Sequence, residues 1–184
     1  MVRKENQRIA LTRRLLQEGM LRLLSTEKLE DISVTALCKE SGINRATFYN
    51  HYTSPSQLLE EMEKNLVEEL LEPTPPAKTI EDILNQTEKC CILLKENSKL
   101  FDILVRYHVD RDLEHMVFSI VQHYDEHRMD ITKTQMDQDT KILVTSYLYA
   151  GCYAMIREWL LRDIDKTPRE IAELLVDIVS KEYL

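Results

Sequence analysis

Ser33-Val34-Thr35-Ala36-Leu37-Cys38-Lys39-Glu40-Ser41-Gly42-Ile43-Asn44-Arg45-Ala46-Thr47-Phe48-Tyr49-Asn50-His51-Tyr52 is the stretch whose reading decides the fold. Ser33 is a good N-cap for a short helix through Ser41, because a serine hydroxyl accepts from amides that a helix start leaves unsatisfied. Leu37 is the inward residue of that helix. Gly42 stands where a helix C-terminus takes the left-handed conformation, which glycine adopts without a Cβ clash. Asn44 then caps a second short helix, Arg45 to His51. Two short helices joined by a glycine-containing turn cross at a large angle, so the second projects as a rod. The major groove of B-DNA, about 12 Å wide, admits such a rod.

Side-chain chemistry on the second helix agrees with that use. Phe48, with Ile43 and Tyr52, is expected to face the core. Arg45, Thr47, Tyr49, Asn50 and His51 are then left outward or flanking. Arginine pairs with guanine edges and asparagine with adenine; threonine suits a phosphate or a thymine methyl, and tyrosine and histidine suit phosphate oxygens. Ser33 and the amides that follow it can hold a further phosphate. The competing reading is a three-helix bundle with no nucleic-acid role, in which Tyr49 and His51 are ordinary surface residues.

Outward from this stretch the pattern is helical. Arg8 to Leu24 carries Ile9, Leu16, Met20 and Leu23/Leu24 on one face, with Gly19 inside it at the position of a close helix contact. Thr26 to Asp31 breaks the pattern. Ser54-Pro55-Ser56-Gln57 reads as a capping box opening a helix to about Leu71. Residues 72–78, with three prolines, form the best linker. Thr79 caps a helix from Ile80 to about Glu96, and a shorter one follows over Lys99 to Arg106. Asp110 to Arg128 carries a stripe of Leu113, Met116/Val117, Ile120/Val121 and Tyr124. A long helix is expected from about Gln135 to Leu161. Thr167-Pro168-Arg169-Glu170 is a second capping box, opening a final helix over 168–182 with Ile171, Leu174/Leu175 and Ile178 on its apolar face.

Composition supports an all-α chain. Only 3 of 184 residues are glycine, against an average near 7%, and hairpins and phosphate-cradling loops need glycine for positive φ. Gly19, Gly42 and Gly151 cannot be assembled into a dinucleotide or Walker-type loop, which excludes those nucleotide-binding enzymes. The N-terminus has no signal-peptide pattern. The longest uncharged run, Ile142 to Ile156, falls short of the roughly 20 residues that span a bilayer and reads as a helix buried on most sides. Cys38, Cys90, Cys91 and Cys152 form no Cys-x-x-Cys pair and are expected to be buried, reduced thiols in a cytoplasmic protein. The net charge of −8 is uneven: residues 1–55 carry nine basic and six acidic residues (+3), the remainder fifteen and twenty-six (−11). A basic head on an acidic body points to the head alone meeting a polyanion.

The run Thr35-Ala36-Leu37-Cys38-x-x-Ser41-Gly42-Ile43-x-x-Ala46-Thr47-Phe48-Tyr49-x-His51-Tyr52-x-Ser54, followed by Leu58-Leu59, closely resembles the N-terminal domain of TetR/AcrR-family transcriptional regulators. Gly151 through Arg157-Glu158-Trp159-Leu160, then Thr167-Pro168-x-Glu170-Ile171-Ala172, resembles the last two helices of a subgroup common in low-GC Gram-positive bacteria. The resemblance covers residues 8–71 and 140–180; between 80 and 135 it amounts to helical pattern and length. It implies a homodimeric repressor whose recognition helices enter successive major grooves of an inverted-repeat operator, released when a small molecule in the C-terminal domain changes their separation. Carried over by position, Ser33 and Thr35 open the first short helix against the backbone and a base edge, Arg45, Ala46 and Thr47 face bases, and Tyr49 and His51 take phosphates. Asn44 and Asn50 flank them. Many members place a phosphate-binding lysine where this chain has Pro55, leaving Thr53, Ser54 and Ser56 to bind phosphate without a full charge.

In the body, Ile142 to Ile156 is apolar around its whole circumference, so one flank is expected to meet its own domain and another a second copy. Ala150 and Gly151 would let backbones approach, and the final helix completes the two-helix surface that forms a four-helix dimer interface in the resembled family. A ligand pocket is expected among Phe101, Tyr107, Met116, Tyr124, Tyr147, Tyr153, Met155 and Trp159, with Arg106 or His108 as a polar handle; the alternative is that these residues are simply core. His123 and His127, one turn apart, with His115 and Asp112 on the same helix, lack a fixed further ligand, so no metal is expected. A Cys90–Cys91 switch is disfavoured because adjacent cysteines point to different helix faces. No nucleophile–base constellation stands out, so no enzyme and no cofactor is expected. The expected organisation is a helix-turn-helix head over 1–53, a bridging helix over 54–71, and an effector-binding and dimerisation body over 72–184. The alternatives to a repressor are an activator or partner-protein-gated regulator with the same head, or a helical ligand-binding protein that does not read DNA.

Overall fold

The computed structural model describes residues 2–72, 75, 77–106 and 137–183, and every regular element among them is helical. These are α1 (Val2–Leu24), a 3₁₀ turn (Leu29–Asp31), α2 (Val34–Ser41), α3 (Arg45–Tyr49), α4 (Pro55–Leu70), α5 (Ile80–Glu96), α6 (Ser98–Arg106), α7 (Gln138–Leu161) and α8 (Pro168–Tyr183). The chain divides into two compact units, residues 1–66 and 67–184, with the division falling inside α4. Three helix bounds differ from expectation by two residues or more. α1 begins at Val2 rather than Arg8, since neither proline nor glycine interrupts residues 2–7. α3 stops at Tyr49 rather than His51, because the His51 amide turns to the Phe48 carbonyl (2.9 Å) in a tightened final turn. α7 begins at Gln138 rather than Gln135, where the Asp137 carboxylate accepts from the Thr140 amide (3.0 Å).

In the first unit α1 lies against α2, and α2 against α3. Leu16, Met20 and Leu24 repeat every four residues along α1 and are buried, with Ile32, Leu37, Phe48, Tyr52, Leu58, Leu59, Met62 and Leu66 completing the core. Ile9, expected on the same stripe, is exposed. Burying each large apolar side chain contributes about 1.5–3 kcal/mol, so a short helix such as α3 owes its presence to packing rather than to propensity. Gly19 marks the α1–α2 contact: a Cβ there would lie 3.0 Å from Ser41 Cβ. Ser41 is itself buried, its Oγ donating to the Leu37 carbonyl at 2.6 Å.

In the second unit α5 packs along α8, while α6 meets α5 and α7. Its core is built from Ile83, Cys91, Leu94, Phe101, Leu104, Ile156, Trp159, Ile171, Ala172 and Leu175, among others. Thr167 and Glu170 form the expected capping box, and Thr79, expected as a cap, forms one with Asp82. Arg169, in the first turn of α8, reaches across to α5, where its guanidinium meets Asn85 Oδ1 (3.0 Å), Glu88 Oε2 (2.9 Å) and Glu81 Oε1 (3.2 Å), and along its own helix to Glu173 (3.2 Å). The ends of α5 and α8 are thereby held in register by one planar donor fork.

The uncharged run on α7 is buried on one side only. Thr145, Leu148 and Ile156 are inside, whereas Leu143 and Tyr147 are 71% and 69% exposed and Ile142, Ala150, Gly151 and Ala154 are also open. The expectation of burial on most sides is therefore corrected for the single chain, which offers α7 only one set of neighbours. α8 likewise exposes Leu174 and Ile178, one turn apart. Among the described residues no helix is long and apolar enough to cross a membrane.

Candidate nucleic-acid interface

Each turn in the segment from Ser33 to Tyr52 is closed by a short-range bond that its own residues supply. Ser33 sits in the extended region (φ −82°, ψ 154°) and its Oγ accepts from the Ala36 amide at 3.1 Å. Gly42 takes φ 68°, ψ 22°, and the Ile43 amide bonds back to the Cys38 carbonyl at 3.0 Å. That left-handed residue closes α2 and redirects the chain. Asn44, again extended, accepts the Thr47 amide on Oδ1 at 2.7 Å and opens α3.

Packing orients α3. Phe48 is fully buried, and its ring lies 5.9 Å from that of Tyr52, also buried. The Tyr52 hydroxyl donates to Glu61 Oε1 on α4 at 2.9 Å, and Arg13 Nη1 of α1 lies 3.7 Å from the same oxygen. Burial first, then the Glu61 bond, pushes the Tyr52 phenol well above its usual range. The exit of α3 is thus tied to both long helices of the unit. Sequence reading placed Tyr52 in the core but missed its hydroxyl's partners, for which no local spacing signals.

With Phe48 turned in, Arg45, Ala46, Tyr49 and Asn50 are exposed, and Thr47 and His51 half-buried, all on one short rod and its exit. Tyr49 is 52% exposed and meets Phe48 edge-on at 5.5 Å. The Arg45 guanidinium lies over the Tyr49 ring, 5.9 Å from its centroid. Their i,i+4 spacing could have signalled that pairing. Behind them, burial pushes the Cys38 thiol up, with the Arg45 charge opposing.

The capping residues divide by what their hydroxyls have left to give. Ser33 Oγ accepts from Ala36, and a hydroxyl that accepts can still donate its proton to an oxygen. Thr35 is exposed beside it. At the start of α4, Ser54 Oγ accepts the Gln57 amide (3.2 Å), but the return arm of the expected box goes elsewhere: Gln57 Oε1 receives both the amide (2.7 Å) and hydroxyl (2.9 Å) of Thr53. The Thr53 hydroxyl proton is therefore already given to Gln57, which leaves Ser54, Ser56 and the α4 amides as the stronger phosphate candidates there.

The expected pocket residues separate. Phe101 and Trp159 are buried, and Tyr153 and Met155 are half-buried. Trp159 Nε1 donates to the Lys166 carbonyl (3.0 Å), with Lys95 Nζ over its ring at 5.3 Å. Tyr147 stands on the open side of α7 with Leu143, because four residues of helix return it to the same stripe. Arg106 is paired with Asp102 on its own helix. Tyr107, Met116 and Tyr124, and likewise His108, Asp112, His115, His123 and His127, lie outside the described residues. Burial raises the thiols of Cys90, Cys91 (to about 12) and Cys152 (to about 11), so none of the three is poised as a thiolate near neutral pH.

A chain whose described elements are all helical and that presents a glycine-turned pair of short helices, the second studded with base- and phosphate-competent side chains, falls in the class of helix-turn-helix regulators. Residues 81–181, more than half of the chain, match a family model described as a transcriptional regulator C-terminal region, and the chain belongs to the TetR family of transcriptional regulators. Its family is one of regulators rather than enzymes. The fold is shared with the dihydroxyacetone kinase operon activator DhaS (18% identity, 94% of this chain and 96% of that one, TM-score 0.69). It is shared also with a TetR transcriptional regulator from Streptococcus agalactiae 2603V (18% identity, 97% and 99% covered, TM-score 0.58). A tetR-family transcriptional regulator from Streptomyces coelicolor is a third (19% identity, 91% and 77% covered, TM-score 0.56). No curated protein sequence matches the chain.

Proposed function

We propose that the chain is a cytoplasmic, homodimeric repressor that binds an inverted-repeat operator in double-stranded DNA and is released by a small-molecule effector. The observation that carries the DNA half of this reading is the anchored rod: Phe48 turned fully inward while Arg45, Ala46, Tyr49 and Asn50 remain exposed. Arg45, Ala46 and Thr47 face base edges, Asn44 and Asn50 flank them, and Ser33, Thr35, Tyr49, His51, Thr53, Ser54 and Ser56 meet the backbone. The head spans 1–53, the bridging helix 54–71 and the effector and dimer body 72–184.

The open stripe of α7, Leu143, Tyr147, Ala150 and Gly151, with Leu174 and Ile178 on α8, supports the dimer. Apolar positions repeated along two adjacent helices are what a second copy would cover, and a two-fold pair presents two rods to half-sites about 34–36 Å apart. The effector site is placed among Phe101, Tyr153, Met155 and Trp159 in the body. The test is a gel shift with the duplex upstream of the chain's own gene. Binding at low salt, weakened by Tyr49→Ala or Thr47→Ala, is expected; no shift at low salt overturns the reading. A second reading, an activator with the same head, is favoured by the activator named among the structures of like fold. A reporter behind the bound operator separates them, since loss of a repressor raises expression and loss of an activator lowers it.

A further inference from the structure

Arg45 and Tyr49 stand one turn apart on the exposed side of α3, with the guanidinium over the ring at 5.9 Å from its centroid. The ring is not free to follow the arginine. It rests edge-on against Phe48 at 5.5 Å and 78°, and Phe48 is fully buried. A line of contacts thus runs from the core, through Tyr49, to a guanidinium at the tip of the rod. An exposed arginine otherwise samples many rotamers and must lose that freedom on binding. A cation–π contact with a held ring narrows that choice beforehand, and the planar N–H fork it holds has the geometry that pairs with O6 and N7 of guanine.

We propose that Tyr49 is a positioning residue for Arg45, and that Arg45 so held reads one guanine in each operator half-site. The inference rests on the DNA-binding reading above. It gives Tyr49 a second role beside its phosphate contact, since the ring positions the base-reading group while the hydroxyl meets the backbone. The two roles respond to different substitutions: Tyr49→Phe keeps the ring and loses the hydroxyl, and Tyr49→Leu loses both.

The experiment selects duplexes from a random pool with the full-length wild-type chain, then measures affinity for the selected site and for a copy with each conserved G·C changed to A·T. Wild type is expected to prefer one G·C pair per half-site by roughly tenfold. Arg45→Ala should reduce that preference below about twofold at that position alone. Tyr49→Phe should weaken binding to both duplexes in parallel and keep the preference, whereas Tyr49→Leu should lose at least about fivefold of it. A preference unchanged in Tyr49→Leu, or selected half-sites with no guanine that depends on Arg45, overturns the inference and leaves the DNA-binding reading standing. A wild-type chain that selects no duplex at low salt overturns both.

Discussion

The Tyr52 hydroxyl, at the exit of α3, donates to the Glu61 carboxylate on α4 at 2.9 Å. A hydrogen bond to a charged acceptor contributes about 1.5–3 kcal/mol when well shielded, and here the carboxylate is partly exposed and shared with Arg13. Tyr52→Phe, which preserves the buried ring, should therefore cost about 1–2 kcal/mol in denaturant unfolding. Because the folded state raises the phenol, the unfolded chain releases that proton first as pH climbs past about 10. Stability from this group is full below that pH and is lost above it, so the alkaline decline of the wild type should be shallower in Tyr52→Phe. Identical alkaline limbs would remove Tyr52 from that role.

Gly19 tests how closely α1 and α2 approach. Alanine in place of a helical glycine ordinarily stabilises by about 1 kcal/mol, but its Cβ would meet Ser41 Cβ at 3.0 Å and Ser41 backbone atoms at 3.3 Å. Ser41 cannot swing aside, since it is buried and bonded to the Leu37 carbonyl. Overpacking of this kind costs about 1–3 kcal/mol, so Gly19→Ala should lower the melting temperature of the head despite the better helix former. An increase would show that the two helices can separate without loss.

The acid limb of stability should carry the mark of Glu170. Its carboxylate accepts the Thr167 amide at 2.8 Å and hydroxyl at 2.9 Å, and these bonds, the amide first, hold its pKa below the usual carboxylate range. A depressed carboxylate stabilises the fold above its unfolded pKa, and that contribution disappears as pH falls through the folded value. Glu170→Gln should flatten the decline below about pH 4.5 relative to wild type. Parallel acid limbs in the two proteins would contradict it.

What was legible in the sequence was local. Ser33, Gly42, Thr79 and Thr167 act within four residues of themselves, so turn and cap chemistry was sufficient to place them. The Arg169 cluster was not legible, because its partners Glu81, Asn85 and Glu88 lie more than eighty residues away and meet it only once α5 and α8 pack. Nor was the open side of α7. A helix apolar all round has no phase, so sequence indicates that a second neighbour is needed without saying where it sits. Tyr147, expected in a pocket for its aromatic ring, stands on that open side.

The exposed stripe on α7 should govern oligomeric state. Tyr147→Asp with Leu143→Asp puts two charges where a second copy would bury apolar surface, and desolvating an unpaired carboxylate is costly. Both side chains are open in the single chain, so the protomer should remain folded by circular dichroism. Sedimentation should show monomer in place of dimer, and operator binding should weaken by orders of magnitude as the two half-sites lose their link. A double variant that stays dimeric places the interface elsewhere.

Pro55 opens α4 at the position where the family resemblance implies a phosphate-binding lysine, and its ring supplies neither charge nor amide proton. Each phosphate neutralised by a cation releases counterions and steepens the dependence of log K on log salt by about 0.9 for duplex DNA. The wild-type slope should accordingly be shallower by about one phosphate per head than in lysine-bearing relatives. Pro55→Lys should restore it, steepening the slope by roughly 0.9 per protomer while leaving base preference unchanged, because a backbone contact carries no sequence information. Proline is well suited to the first helical position, so a small loss of thermal stability should accompany the gain in affinity. A slope that Pro55→Lys leaves unaltered would mean that the start of α4 does not approach the duplex, and that Ser54 and Ser56 are caps alone.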